Sequence, residues 1–568
     1  MSTSPKVEAT EVSKVEEKGQ RDSFKEADEK APYIDVTSED PEHVEGAALS
    51  QSYLKKVYII NRVMNEHVGF SRWHWGLMLL SGYGWLVDNL WLQGVAIILP
   101  QVNREFAPQH VEWMTFALYI GLILGAAGWG VAADIIGRRP AFNITLFLAG
   151  VFGIAAGGAR NEVALGGLLA ALGVGLGGNL PVDGMLFLEF IPGSKQYLLT
   201  LLSVFWSIGQ LIASLVAWVF IVNYTCSGDN SDIATSGVCI SSENQGWRYT
   251  FYTLGAVTLA GWFLRFVVFQ LPESPKYLLS QGRDAEAVQV VKEIARRSGK
   301  ELGDDILSVA LLRSAAGEAH EMSDADEIVP EKRGLAGLLA VPKQLFAAAK
   351  NFSPSHLKPD LKLVKPLFAT PKLAYNTSII FVLWSFIGLA YPLFNAFLPL
   401  YLESRSVGTG NASVNETYSQ YAYISICGVP GSLIAAWMVE MPRSGRRGAM
   451  ALGTLLTGIF VIVSTQSPNK GAFLTFLCLE ALFQNIMYGV LYAYTPESFP
   501  SPVRGTGDGI ASSLNRIFGL MSPIIRIYGA SESGPGVNAP LFTSGAMFIF
   551  CGLLMLTLRV ESQGRTAL

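Results

Sequence analysis

Asp88 stands in the middle of an apolar stretch, within the run Gly84-Trp-Leu-Val-Asp-Asn-Leu-Trp91. A carboxylate in such surroundings is costly, and one that persists marks a solute or proton path or a fixed pair with a cation. Desolvation disfavours its charged form, so Asp88 is a group that can take up and release a proton. The competing reading is a structural pair with an arginine or a helix end. Asn89 and Gln93 give it polar company. Glu480, Gln484 and Tyr488 are spaced i, i+4, i+8 and share one helix face. In lipid such a stripe must look into a bundle or a cavity, or hydrogen-bond to neighbouring helices. Gly177-Gly-Asn-Leu-Pro-Val-Asp183 sets Asn179 and Asp183 among helix breakers. An interrupted helix there would bare backbone groups to a solute, although close packing of glycines explains the same residues. Trp206, Gln210, Tyr391, Asn395 and Arg516 complete the set of candidate binding or proton-coupling residues. Arg516 does not readily lose its proton, so it is the group suited to an anionic solute at depth.

These residues need long apolar helices to position them. Of 568 residues, 50% are hydrophobic and only 15% charged, against about 25% charged in a typical soluble domain. The composition describes a polytopic membrane protein. A net charge of -4 suggests no nucleic-acid partner. The five cysteines form no Cys-x-x-Cys pair and the six histidines do not cluster, so neither a metal centre nor a cofactor is expected. Nothing in the pattern points to an enzyme.

Apolar stretches fall near 77–100, 111–133, 140–158, 163–190, 198–222 and 247–270, then near 373–402, 418–440, 448–465, 471–494, 508–528 and 539–560. Most are close to the ~20 residues that cross a bilayer. The pattern predicts twelve transmembrane helices in an all-α fold of two six-helix repeats. The expected divisions are a disordered tail at 1–51, a first half at 52–272, a linker at 273–372, a second half at 373–560 and a short tail at 561–568. Within the linker, Ala287, Val290, Val291 and Ile294 predict an amphipathic helix from Asp284 to Arg297, and Gly317 to Gly334 reads as a mobile connection.

Charge sets the orientation. Arg138 and Arg139 lie in the hairpin Gly130 to Arg139, and a short basic loop resists translocation. Both termini and the linker are therefore expected in the cytoplasm. Gly137-Arg138-Arg139 returns as Gly445-Arg446-Arg447, and Glu189-Phe-Ile-Pro192 returns as Glu497-Ser-Phe-Pro500, each displaced by 308 residues. Two matches at one offset argue for a duplicated unit with a solute site between the copies. On the outer side, Cys226 and Cys239 share one loop, where they either form a disulfide or stay as separate thiols. Asn223, Asn411 and Asn415 head glycosylation sequons in outer loops. The plasma membrane is the expected location, with a vacuolar or vesicle membrane as the alternative.

Gly130-x-x-x-Asp134-x-x-Gly137-Arg138-Arg139 resembles the loop signature of the major facilitator superfamily. Pro272-Glu273-Ser274-Pro275-Lys276-Tyr277-Leu278 resembles the segment after the sixth helix in its sugar-transporter-like branch. Trp85-Leu-Val-Asp88, Phe205-Trp206-Ser207-Ile208-Gly209 and Arg516-Ile-Phe-Gly-Leu-Met-Ser-Pro523 are similar to the synaptic-vesicle-protein-related subfamily and its fungal members. Leu169 stands where the sugar-transporter pattern has an arginine, which argues against a hexose substrate. The resemblance implies a secondary transporter that moves a small organic anion or polar metabolite, with protons, by alternating access. It leaves open a sugar or an exported secondary metabolite as substrate, and a non-transporting receptor or scaffold on the same fold. It also implies a cytoplasmic gate built from Asp134, Arg138, Arg139, Glu189, Glu440, Arg446, Glu497 and Arg504. Glu189 would pair with Lys195, Glu440 with Arg446, and Glu497 with Arg504. Besides the solute and protons, the lipid bilayer is the only partner implied; protein partners are not specified.

Overall fold

The computed structural model describes residues 51–136, 138–191, 195, 198–226, 239–267, 271–317, 364–407, 414–441, 444–499, 503–529, 536 and 538–560. Within this set the side chains of 51, 54, 130–140, 180–182, 185, 266–267, 315, 403–407 and 504 are also outside the description. The expected tails at 1–50 and 561–568, the connection after Gly317 and Asn411 therefore lie outside the described residues, as do the hairpin side chains Asp134, Arg138 and Arg139.

The described elements are helices, and they follow the apolar stretches in order. The first six spans are Arg72–Phe106, Trp113–Ile136, Arg138–Gly157, the pair Glu162–Gly177 and Asn179–Phe190, Leu198–Asn223, and Gly246–Val267. The last six are Pro371–Asn395, Val414–Glu440, Gly445–Thr465, Lys470–Ser498, the pair Arg504–Gly519 and Met521–Gly529, and Ala539–Met555. Residues 49–568 form one compact unit. The first span has 35 residues, about 50 Å of helix, so it outruns a ~30 Å hydrocarbon core. Local chemistry starts the spans where they start. The Asn161 side chain accepts from the Ala164 amide and Asn469 from that of Ala472, capping the fourth and tenth spans at the repeat offset of 308 residues.

Two ends of the bundle are distinguished here by what they carry. On the linker side, an amphipathic helix Gln51–Val63 precedes the first span and packs with helices Pro275–Ser280, Asp284–Arg297 and Val309–Ala316. Lys56 Nζ lies 2.8 Å from Asp284 Oδ2, and Arg313 Nε 3.2 Å from the same oxygen, all three residues buried. The Asp284–Arg297 helix has the expected limits, but Val288 is buried with Ala287, Val291 and Ile294, while Val290 is only half-buried. On the disulfide side, Cys226 and Cys239 are joined with their Cα atoms 6.3 Å apart. The Cys239 amide donates to the Arg104 carbonyl at the end of the first span.

The two halves touch at both ends. On the disulfide side Gln101 donates to the Tyr418 hydroxyl at 3.3 Å, and that hydroxyl donates to the Ile97 carbonyl. Toward the linker side Ser207 donates to Asn485 Oδ1 at 2.6 Å and lies 2.9 Å from the Ser432 hydroxyl. The helices thus close over the middle from above and below.

Candidate functional site

The middle of the interface is a polar network enclosed by rings. Tyr421 donates to Gln93 Oε1, Gln93 Nε2 donates to the Tyr391 hydroxyl at 2.8 Å, and that hydroxyl lies 3.4 Å from Asn89 Oδ1. Asn89 Nδ2 donates to the Trp206 carbonyl at 2.8 Å. First, fifth, seventh and eighth spans are joined by these bonds. In the second half, Gln484 donates to Glu480 Oε1 at 2.7 Å and accepts from Asn395 Nδ2 at 3.0 Å. Glu480 is 1% exposed and has no ion-pair partner among the described residues.

Around this network stand Trp206, Tyr391, Tyr488, Tyr492, Trp85 and Trp384. Trp206 and Tyr391 are stacked at 5.8 Å, and Trp206 meets Tyr488 edge-on at 4.8 Å. Tyr492 meets Trp85 at 5.1 Å and Trp384 at 4.8 Å. Two polar atoms of this box, the indole nitrogens of Trp206 and Trp85, are buried without a hydrogen-bond partner among the described residues. Buried donors left in this way favour a ligand that can accept from them.

Asp88 is 2% exposed, and its Oδ1 also lacks a hydrogen-bond partner. The cation that acts on it is Arg516, from the opposite half. Their charges interact without an ion pair within 4.0 Å among the described residues. Arg516 Nη1 instead donates to the Gly177 carbonyl at 2.5 Å. The reason lies in the sequence. The residue four positions after Gly177 is Pro181, which has no N–H to continue the helix ladder, so the helix breaks at Gly178 and the Gly177 carbonyl is free for the arginine. The glycines pack closely as well: a Cβ on Gly177 would meet the Leu122 carbonyl oxygen at 2.4 Å. Both readings of this segment are therefore realised in the same residues.

Other candidates have partners outside this network. Asp183 faces Arg265 within the first half, at 3.8 Å, and approaches Gly84 so closely that a Cβ there would fall 1.4 Å from its Oδ2. Asn179 accepts from Thr145 at 3.0 Å. Gln210 is buried on the fifth span, one turn from Trp206 and from Ser214, which bonds to Ser425 across the halves at 2.7 Å. At the linker side, Arg446 Nη2 donates to Glu497 Oε1 at 2.8 Å. This bond ties the start of the ninth span to the end of the tenth. Glu189 is half-buried and Glu440 exposed. Asn223 is exposed and Asn415 accepts from the Trp218 indole at 2.7 Å.

Sequence reasoning named Glu480, Gln484 and Tyr488 but stopped one turn short of Tyr492 on the same stripe, which one more step of i+4 would have found. Gln93, legible in the sequence as polar company for Asp88, is the hub of the network. Tyr421 carries no such local signal.

Between the first, second and seventh spans the structure leaves a cavity of about 10 Å³, lined by Gln93, Thr115, Tyr119, Tyr391 and Asn395 among others. That is room for about one water. This cavity takes a solute larger than water only if its walls move apart.

Comparison with known proteins agrees with this geometry. The model of the Major Facilitator Superfamily matches residues 76–523. The MFS siderochrome iron transporter 1 of Ceriporiopsis subvermispora is 41% identical over 530 residues, covering 93% of this chain and 95% of that protein. The niacin transporter NiaP of Acinetobacter baylyi is 25% identical, covering 89% and 98%. The synaptic vesicle 2-related protein of Rattus norvegicus is 23% identical, covering 88% and 80%. Among solved structures, the proton:xylose symporter XylE bound to 6-bromo-6-deoxy-D-glucose superposes with a TM-score of 0.60 at 18% identity, covering 87% of this chain and 98% of that one. The chain belongs to the Major Facilitator Superfamily: it is a multi-pass membrane transporter of twelve helices in two repeats, and not an enzyme.

Proposed function

We propose that the chain moves a small organic anion carrying a flat ring, together with a proton, by alternating access. The observation that carries this reading is that Asp88 and Arg516, from opposite halves, act on one another electrostatically beside a box of aromatic faces with unpartnered indole donors. The ring would stack against Trp206 and Tyr391, and its acid group would replace the Gly177 carbonyl on Arg516. A planar carboxylate fits the fork of a guanidinium in two parallel bonds. Coupling follows from the shared charge. An anion on Arg516 offsets the positive charge that acts on Asp88 and so favours its protonated form, and a proton on Asp88 removes the competitor for Arg516. The two ligands therefore favour each other's binding, and rocking of the halves carries both. The relative named as a niacin transporter supports a ring-bearing acid.

The test uses purified protein in liposomes with nicotinate as the probe. Asp88→Asn is expected to abolish accumulation driven by a pH gradient while counterflow exchange continues, because exchange needs binding and rocking but no net proton step. Arg516→Lys is expected to weaken the probe's affinity, since the charge stays and the fork is lost. Gradient-driven accumulation by Asp88→Asn sinks the coupling assignment. A second reading, an organic cation, is favoured by the ring faces and by Glu480, which has no ion-pair partner among the described residues. Preference for a quaternary ammonium over nicotinate in the same liposomes would select it.

The orientation proposed is the linker side in the cytoplasm of a cell whose plasma membrane holds the protein. A tag placed between Asp284 and Lys300 should be protected from external reagents in intact cells, and its labelling from outside would reverse the assignment.

A further inference from the structure

Another buried arginine, Arg526, has no part in the mechanism above. Arg526 lies in Met521–Gly529, at the disulfide-side end of the eleventh span. It is 8% exposed, yet its Nε and Nη1 have no hydrogen-bond partner. Its countercharge is Glu112, at the start of the second span in the opposite half, 3.8 Å from Nε and beyond hydrogen-bond reach. Phe397 lies under the guanidinium, 5.4 Å from ring centre to Cζ. A buried guanidinium with two idle donors is costly unless something else binds it in another state.

Its position says what that could be. The cavity of about 10 Å³ begins next to this pair. Thr115, one turn after Glu112, lines it, as does Ala396, the neighbour of Phe397, and its far wall is Gln93 and Tyr391 of the central network. The Thr115 hydroxyl is buried without a hydrogen-bond partner too. Two unpartnered polar groups, on Arg526 and Thr115, thus lie on the way to the hydrogen-bonded Gln93 and Tyr391 at the midplane. Arg516 and Arg526 belong to the same span, about 15 Å apart along its axis at 1.5 Å per residue.

We propose that Arg526 is an outer docking station for the acid group of an anionic solute, held in reserve by Glu112 while the halves are closed on that side. When they part, Glu112 leaves with the first half and the donors of Arg526 face the opening. The solute's carboxylate takes them first, then passes along the Thr115 wall to Arg516. The inference rests on the anion reading of the central site, but it concerns a separate place.

Its test measures uptake of benzoate into liposomes from each side, with the neutral isostere benzamide as competitor. For Arg526→Gln the expected result is a KM for benzoate raised about tenfold from the disulfide side, with the linker-side KM and benzamide inhibition unchanged. For Glu112→Gln, which frees the arginine, the disulfide-side KM should fall below that of the wild type. A pair that acts only as a latch would shift both variants in the same direction, and would affect benzamide as much as benzoate; either result overturns the station. Should Arg526→Gln fail to fold, the Glu112→Gln result decides alone. Wild-type protein that moves neither benzoate nor other monocarboxylates refutes the anion reading itself and this station with it, whereas normal benzoate uptake by Arg526→Gln refutes the station only.

Discussion

Asp88 and Glu105 sit on one helix, about 25 Å apart at 1.5 Å per residue, and the chain treats them in opposite ways. Glu105 is held by everything around it. Arg248 grips it with two bonds of 2.7 and 2.8 Å, the Trp247 indole donates at 2.8 Å, and Asn244 donates at 3.2 Å. Asp88, no more exposed, leaves one oxygen without a partner and keeps its arginine at a distance. A charge fully engaged by its own protein has nothing left to offer a ligand, and it can serve only to fix helices. A charge left incomplete can exchange partners, at some cost to stability. The difference separates the scaffold from the moving site, and tryptophans repeat it: Trp247 spends its N–H on Glu105, while that of Trp206 has no partner.

The comparison can be broken at either end. Glu105→Gln should destabilise most, because Arg248 is left buried and unpaired; removing one partner of such a pair costs about 3–5 kcal/mol. The expected readout is a large fall in the detergent-solubilised Tm and loss of surface expression, and a near-normal Tm would mean that Arg248 finds water instead. Asp88→Asn should leave Tm close to wild type.

A smaller effect sharpens the contrast. Trp247→Phe removes a bond to an ionised group and should lower stability by about 1.5–3 kcal/mol. Trp206→Phe keeps the ring and loses only a donor with no protein partner, so Tm should hold while KM for a ring-bearing acid rises by about two- to tenfold, the range for one neutral hydrogen bond. If both variants lose stability alike, the unpartnered indole of Trp206 is structural after all.

Much of the fold could be read in advance because a membrane span is a local property. Each apolar stretch carries its own signature over about 20 residues, and the basic hairpins betray the repeat. Asp88 and Arg516 were visible for the same reason, as charges in apolar company. What could not be read was which groups face one another. Gln93 meets Tyr391 and Tyr421 across 298 and 328 residues, and no periodicity encodes the angle at which two halves pack. Asp183 illustrates the failure from the other side. Its sequence context equals that of Asp88 in apolarity, but Gly84 on the first span opens space for it beside Arg265, a contact set by three spans together. Arg526 was not singled out in the sequence, because what buries it is the packing of the eleventh span against Glu112 and Phe397.

The cluster of Lys56, Asp284 and Arg313 has a bearing on how the chain is made. Lys56 and Asp284 are separated by 228 residues. At roughly 5–20 residues per second, the ribosome takes tens of seconds to deliver the aspartate after the lysine. By then all six spans of the first half, ending at Val267, have already been synthesised. The Gln51–Val63 helix must wait in water with its charge unpaired, and it can dock only after that half exists in full. Closure of this cluster would thus act as a completion mark in biogenesis, tying down the leading segment once there is a finished half to tie it to.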